Sequence, residues 1–393
     1  MYISSFSISG YRSLVNVKIT NMLPVCILHG LNNTGKSNVL SALETIFRRK
    51  VLIEETKTTG GESTTHERKG SFWQGTIAHF RDNFFQGKKE DIIFSASVTL
   101  DNGEIAFLRD VLTQLSADLG KPGHHKVLIL NGRIKYVDDD TAEMVLERAT
   151  FNNNRHVVFE TGEGGTKQFF PKLKALDAAV RLRNFEELMN LLADTFAVLP
   201  SDRYLQTELA NATSGELLVL TPKTFKNWLF TLSLTRAGHK QFEDIKKMFA
   251  EKPFLCGEIG FSKERNEIEI MVKQSTTRLP ISRLGSGYQQ MLYIIASVVL
   301  HTGKMLGIEE LEINLSPAAQ RFVFNKLKEF VHGHSGLVTQ LIITSHSEVF
   351  EARGDVRCYG VTHNGDHTAV APWSQSVRKK FFLPTKPKNH IHK

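Results

Sequence analysis

Cysteine is scarce in this chain. There are three in 393 residues, Cys26, Cys256 and Cys358, far apart and odd in number. That argues against a disulfide framework and for a reducing, cytoplasmic setting. Long apolar runs are missing as well. None approaches the ~20 residues that a bilayer-spanning helix needs, so no membrane association is expected. The opening, Met1 to Gly10, has no basic stretch followed by an apolar one, so no secretory signal is read there. There is no internal repeat and no heptad pattern of the length a long coiled coil requires. Acidic residues are absent after Asp366, whereas Arg378, Lys379, Lys380, Lys386, Lys388 and Lys393 follow it. Most of the net charge of +8 is therefore a basic tail beside a near-neutral body. Such a tail suits a polyanion such as nucleic acid. It equally suits a solvated, frayed terminus.

What is present is a globular composition, 41% hydrophobic and 23% charged, in a chain long enough for two or three ordinary domains. Residues 1–48 read as two short strands, an apolar strand at Val25–Leu28, a glycine-containing loop and a helix. Residues 54–70 are polar and rich in Thr and Gly, which predicts an exposed, mobile loop. Strand-like runs follow at Ile92–Leu100, Glu104–Leu108, Lys126–Leu130 and Ile134–Val137, with turn signals at Asp101-Asn102-Gly103 and Asn131-Gly132. Apolar residues at helical spacing (Leu176, Val180, Leu188, Leu191, Leu192) predict a helix within 173–197. Helices are expected near 223–234, 239–251, 286–301 and 317–331, and strands near 255–261, 266–273, 304–308, 340–344, 356–362 and 367–371. A core divided between the two ends of the chain would then flank a mixed insertion. The expected boundaries are 1–50, 51–170, a helical insertion at 171–254, 255–375, and a basic tail at 376–393.

Gly30-Leu31-Asn32-Asn33-Thr34-Gly35-Lys36-Ser37 fits the P-loop spacing G-x-x-x-x-G-K-[ST]. The two glycines let the backbone curl so that successive N–H groups face a phosphate. Lys36 supplies a cation between the β- and γ-phosphates, and the Ser37 hydroxyl can ligate Mg²⁺. The helix that starts here adds its positive N-terminal end. The context fits, with a buried-type strand before the loop and Val39, Leu40, Leu43, Ile46 and Phe47 at helical spacing after it.

Three later segments each mean little alone. Leu284-Gly285-Ser286-Gly287-Tyr288-Gln289-Gln290 precedes an apolar helix, and a small-residue turn there can present N–H groups to an anion or simply cap the helix. Lys304–Ile308 is a short apolar strand ending in Glu309 and Glu310. One carboxylate there can support Mg²⁺ and the other can activate water. Leu341–Thr344 is a strand followed by Ser345 and His346, and His346 can contact a γ-phosphate or be an ordinary surface residue.

In that order, with the P-loop, these segments resemble the ABC-type ATPase heads of the SMC, RecF and OLD proteins. Ile8-Ser9-Gly10-Tyr11-Arg12-Ser13-Leu14 is similar to the family's opening strand pair, Leu199-Pro200-Ser201-Asp202-Arg203 to a Pro/Arg strand end, and Glu310–Pro317 to the stretch after the acidic pair. The likeness covers 1–48 and 278–350 best. It implies an α/β fold, a P-loop NTPase of the ABC/SMC head type with a mixed sheet, split by an α+β insertion. It implies ATP and Mg²⁺ as ligands. Gly30, Asn33, Thr34, Gly35, Lys36, Ser37 and Asn38 would bind them, with Arg12 reaching the nucleotide. Glu309 would support the metal along with Ser37, and Gln86 would be the Q-loop glutamine at the metal. Glu310 would be the general base and His346 the γ-phosphate sensor. Ser286 and Gly287 would touch a nucleotide bound to a second copy. Two departures stand out. Glu309 occupies a position usually held by Asp, and Leu311 one usually held by Pro.

The resemblance further implies a homodimer, or a higher homo-oligomer, closed head to tail by ATP. It implies a sensor ATPase of an anti-phage defence system acting with a separate effector on or near double-stranded DNA. The alternatives are a DNA repair or maintenance ATPase and an ATP-binding scaffold with little turnover. No intrinsic nuclease is expected, because only 47 residues follow His346. The run Asp138-Asp139-Asp140 could bind a metal or close a hairpin.

Overall fold

The apolar run Val25–His29 forms a strand buried at every position, parallel to Val356–Asn364 with Val25 opposite Val356. Strands covered on both faces read as continuous apolar runs, which is why this one is legible. In the computed structural model the chain divides into two compact units, residues 1–197 with 351–393, and residues 198–350. The structure describes residues 1–47, 51–59, 62–69, 74–78, 80–107, 127–151, 156–161, 167–169, 186–205, 208–209, 220–236, 238–251, 258–264, 267–274, 276–332, 337–350 and 354–374.

In the first unit, His367–Pro372 continues the pairing antiparallel to Val356–Asn364. The P-loop is followed by helix α1 (Lys36–Phe47), whose buried residues Val39, Leu40, Leu43, Ile46 and Phe47 recur at helical spacing. A separate antiparallel sheet runs Lys167–Phe169, His156–Thr161, Thr141–Phe151, Val127–Tyr136, Ile92–Thr99, Tyr2–Ser9, Val17–Ile19, with Gln74–Ala78 paired to Thr141–Phe151. Its strands alternate buried and half-buried positions, as a sheet with one covered face must.

Three expectations are corrected here. The described residues within 54–70 are not loop but strand. Val51–Thr59 and Glu62–Lys69 pair antiparallel in register, with Thr56 opposite Thr65, and the threonines that suggested mobility are β-formers. Glu104–Leu108 is not a strand: Asn102–Phe107 is helix α2. Its start is a reciprocal cap, in which Glu104 N–H donates to Asp101 Oδ1 and Asp101 N–H to Glu104 Oε2, both at 2.8 Å. Asn131-Gly132 is no turn either, because Val127–Tyr136 runs straight through it with a register shift at that point. Gly132 is small because a Cβ there would lie 2.5 Å from the Phe94 ring and 2.7 Å from the Val145 carbonyl. The hairpin turn lies at Asp138–Asp140, where Asp138 Oδ1 accepts the N–H groups of Asp140 and Thr141.

The second unit holds α3 (Phe225–Leu234), α4 (His239–Ala250), α5 (Ser286–Leu300) and α6 (Pro317–His332). Glu258–Glu264, Glu208–Leu209 and Thr277–Pro280 all pair antiparallel with Glu267–Gln274. Met305–Ile308 and Gln340–Ser345 pair parallel, with α6 between them in sequence. Every residue of α5 from Gln289 to Val299 is buried, so this helix is core on all sides. These elements lie within a few residues of the expected ones. Of the helix expected within 173–197, residues 186–192 are helical and Phe196–Leu199 is a strand, while Leu176 and Val180 lie outside the described residues. So do the basic tail and Cys256; Cys26 and Cys358 are buried and not joined in a disulfide. No described helix is long and apolar enough to cross a membrane.

Candidate functional site

The first unit carries the phosphate loop. Lys36 is the first residue of α1 and only 5% exposed. Its ammonium donates to the carbonyls of Gly30 and Leu31, both at 2.8 Å. A buried cation needs such acceptors, and these are neutral, so an entering phosphate would supply a stronger partner. The first turn of α1 contains no acidic residue, which leaves the positive end of the helix dipole available to an anion. Asn33 and Gly35 both adopt positive φ, +60° and +95°. A Cβ on Gly30 would lie 2.5 Å from the Val361 carbonyl and 2.7 Å from Thr34 Oγ1. The curl of the loop therefore requires both glycines.

Hydroxyls brace the loop from behind. Thr34 Oγ1 donates to the Leu31 carbonyl, and Thr368 Oγ1 contacts both the Thr34 carbonyl at 3.0 Å and Ser13 Oγ at 2.7 Å. Asn38 donates to Ser13 Oγ and accepts from Arg12 at 3.4 Å. Arg12 has φ of +48°, and its Nε donates to Asn83 Oδ1. Ser37, Asn33 and Arg12 are exposed. Gln86 is exposed as well, with φ of +49°, one residue after Phe85, whose N–H donates to the Gly10 carbonyl. The Gln86 segment and α1 thus meet the same Gly10–Arg12 turn. Ser13, inside the opening strand-pair motif, and Thr368, in no motif, were not foreseen as site residues, and they stand 355 residues apart.

The second unit gathers the acidic and histidine residues. The Met305–Ile308 strand ends at Glu309, whose N–H donates to the Leu199 carbonyl and whose Oε2 accepts from Ser201 N–H at 3.3 Å. Glu310 has φ of +44°, and its N–H donates to Thr344 Oγ1. Arg203 is fully buried and clamps this turn. Its Nη1 donates to the carbonyls of Pro200 and Glu309 at 2.6 Å, and its Nη2 to that of Glu310 at 3.0 Å. Burial pushes its pKa down to about 10, against the opposing fields of Tyr293, Glu312, Glu309 and Glu310. Tyr293 is pushed up to about 12, mainly by burial.

Glu312 was not foreseen as a site residue. Its buried carboxylate accepts the His346 backbone N–H at 2.7 Å and lies 3.1 Å from His346 Nδ1. Gln320 on α6 donates to the Leu315 carbonyl and accepts from Ser347 Oγ. The only sequence hint was a third acidic residue two places after Glu310. Ser286 opens α5, and Gly287 packs closely: a Cβ there would lie 3.1 Å from the Asn314 carbonyl. Among the described residues no group of three or more His, Cys, Asp or Glu could hold a metal. The donors at the expected metal positions are the Ser37 hydroxyl and the Gln86 amide oxygen in the first unit and the Glu309 carboxylate in the second. These are hard oxygen ligands, sparse enough to suit an ion that keeps waters and phosphate oxygens.

Comparisons with known proteins point to an ATPase. Residues 182–350 match the AAA ATPase domain family. An ATP/GTP phosphatase of Helicobacter pylori is 22% identical over 359 residues, covering 88% of this chain and 86% of the relative. A crystal structure of an SMC head bound to the C-terminal winged-helix domain of ScpA superposes with a TM-score of 0.53 at 14% identity, covering 96% of this chain and 99% of that one. At that identity the likeness speaks for the fold.

Proposed function

We propose that this SMC/RecF-like ABC-type ATPase binds ATP with Mg²⁺ and hydrolyses it, and that two copies dock head to tail while ATP is bound. The observation that carries the reading is Lys36, an ammonium 5% exposed and held 2.8 Å from two carbonyls of a loop that opens a helix. Lys36 and the loop N–H groups would hold the β- and γ-phosphates, with Thr34, Asn38 and Arg12 shaping the approach. Ser37, Glu309 and Gln86 would hold Mg²⁺, which supplies charge neutralisation on the phosphate oxygens. Glu310 would take the proton of the attacking water. His346 would contact the γ-phosphate. Ser286 and Gly287, at the start of α5, would meet the nucleotide of the second copy. ATP then acts as an interfacial ligand, and its loss releases the dimer.

Glu310→Gln is the discriminating variant. Turnover should fall by about 10²- to 10⁴-fold, as for loss of a general base, while ATP-bound dimers accumulate. Light scattering that found only monomers with this variant and ATP would sink the dimer reading. The H. pylori relative is named for both ATP and GTP, so the assay should include each nucleotide. A finer reading, a defence ATPase acting with a separate effector on or near DNA, is supported by the basic residues after Asp366. Deleting 376–393 should then flatten the salt dependence of DNA binding.

A further inference from the structure

Among the described residues, the Glu312–His346 pair has a geometry that exceeds the roles assigned so far. The Glu312 side chain is 6% exposed, whereas that of His346 is 43% exposed. One carboxylate oxygen, Oε1, meets both the backbone N–H of His346 and its Nδ1, at 2.7 and 3.1 Å. The other oxygen, Oε2, is buried with no hydrogen-bond partner. A carboxylate buried only to cap a loop would do better with both oxygens satisfied. The surrounding links fix the same spot. Ser347 N–H donates to Ser345 Oγ, Ser347 Oγ donates to Gln320 Oε1, and Gln320 Nε2 donates to the Leu315 carbonyl. The loop after Glu310 and the loop after Ser345 are therefore tied together twice, once through Gln320 and once through Glu312.

We infer that Glu312 is a positioning residue that fixes the His346 ring with Nδ1 protonated and Nε2 facing outward. A carboxylate can only accept, so the nitrogen beside it must carry the proton. The neutral ring then presents a bare Nε2. A phosphate oxygen is also only an acceptor, so Nε2 can donate to it only when the ring is doubly protonated. Glu312 supplies the opposing charge for that state, much as a buried carboxylate orients and stabilises the imidazole of a hydrolytic triad. The inference rests on the reading of His346 as the γ-phosphate contact, and it adds why that histidine is held as it is.

The test uses the full chain labelled with ¹⁵N at histidine, with His346→Asn to assign the His346 ring signals. Without nucleotide, wild type should show His346 protonated at Nδ1. Glu312→Ala, which removes the acceptor, should release that preference, whereas Glu312→Gln keeps an acceptor oxygen and loses only the charge. Steady-state kinetics should show kcat lowered about tenfold or more in Glu312→Gln, with KM for ATP little changed. A wild-type ring protonated at Nε2 instead, or a Glu312→Ala ring unchanged, overturns the inference. A tautomer that changes while kcat holds also overturns it, because Glu312 would then position nothing that turnover uses. If the spectra behave as expected but wild type turns over no ATP, the ring assignment stands and the ATPase reading falls.

Discussion

The phosphate loop and the acidic-histidine cluster each hold polar groups in fixed positions, by different means. In the loop the work is done by backbone: two glycines, a positive-φ Asn33, and a lysine bound to the carbonyls of its own loop. In the cluster it is done by buried side chains reaching across the fold: Arg203 to the Glu309 and Glu310 carbonyls, Glu312 to His346, and Thr344 to the Glu310 N–H. A backbone solution is local and demands particular residues at fixed spacing. A side-chain solution is distributed, and its parts can lie a hundred residues apart.

The comparison breaks most sharply at Lys36. Lys36→Ala removes the cation without disturbing the glycines. Nucleotide affinity should fall about 1000-fold, the loss of two charge-assisted hydrogen bonds of ~2 kcal/mol each. Stability should fall as well, by about 1–3 kcal/mol, because the buried Gly30 carbonyl loses its donor. Calorimetry with ATP checks this, and unchanged affinity would remove the phosphate-loop assignment.

The same division explains what the sequence revealed. The strand Val25–His29, the loop and α1 are contiguous, so spacing alone exposed them. The helices from α3 to α6 and the strands around them showed through periodicity, because each buries a stripe or a whole surface. By contrast, Ser13 and Thr368 brace the loop from opposite ends of the chain, and Glu312 and Gln320 act through geometry that no local pattern encodes. The strand pair at 51–69 and helix α2 were misread for a related reason. Thr, Gly, Asn and Asp serve both loops and ordered caps, and only pairing or a reciprocal Asp101–Glu104 contact decides which.

Arg203 sharpens the side-chain half of the comparison. It satisfies three carbonyls from full burial, so Arg203→Met would leave acceptors at Pro200, Glu309 and Glu310 without their donor. Each unsatisfied buried acceptor costs about 1–3 kcal/mol, so denaturant unfolding should show a loss of about 3 kcal/mol or more. Turnover should drop too, because the same carbonyls set the turn that carries Glu310. A variant of wild-type stability would show that the clamp is redundant.

The smallest expected effects come from glycines, and they separate backbone need from mere smallness. Gly35 has φ of +95°, and a Cβ there would collide with Thr368 Oγ1 and Ser13 Oγ. Gly35→Ala must therefore both strain the backbone and push apart the braces behind the loop, costing about 1–3 kcal/mol in unfolding and weakening ATP binding. Gly285 is the control. Its φ of −55° suits any residue, and a Cβ there would meet nothing within 4 Å. Gly285→Ala should cost less than about 1 kcal/mol, the scale of a helix N-cap change, and should leave ATP affinity in the monomer intact. The open space beside Gly285 is where a second copy would have to approach, so the added methyl should weaken ATP-driven dimers more than it weakens the fold. If Gly285→Ala lowers stability as much as Gly35→Ala, the start of α5 is a structural cap, and its small residues need another explanation than a docking partner.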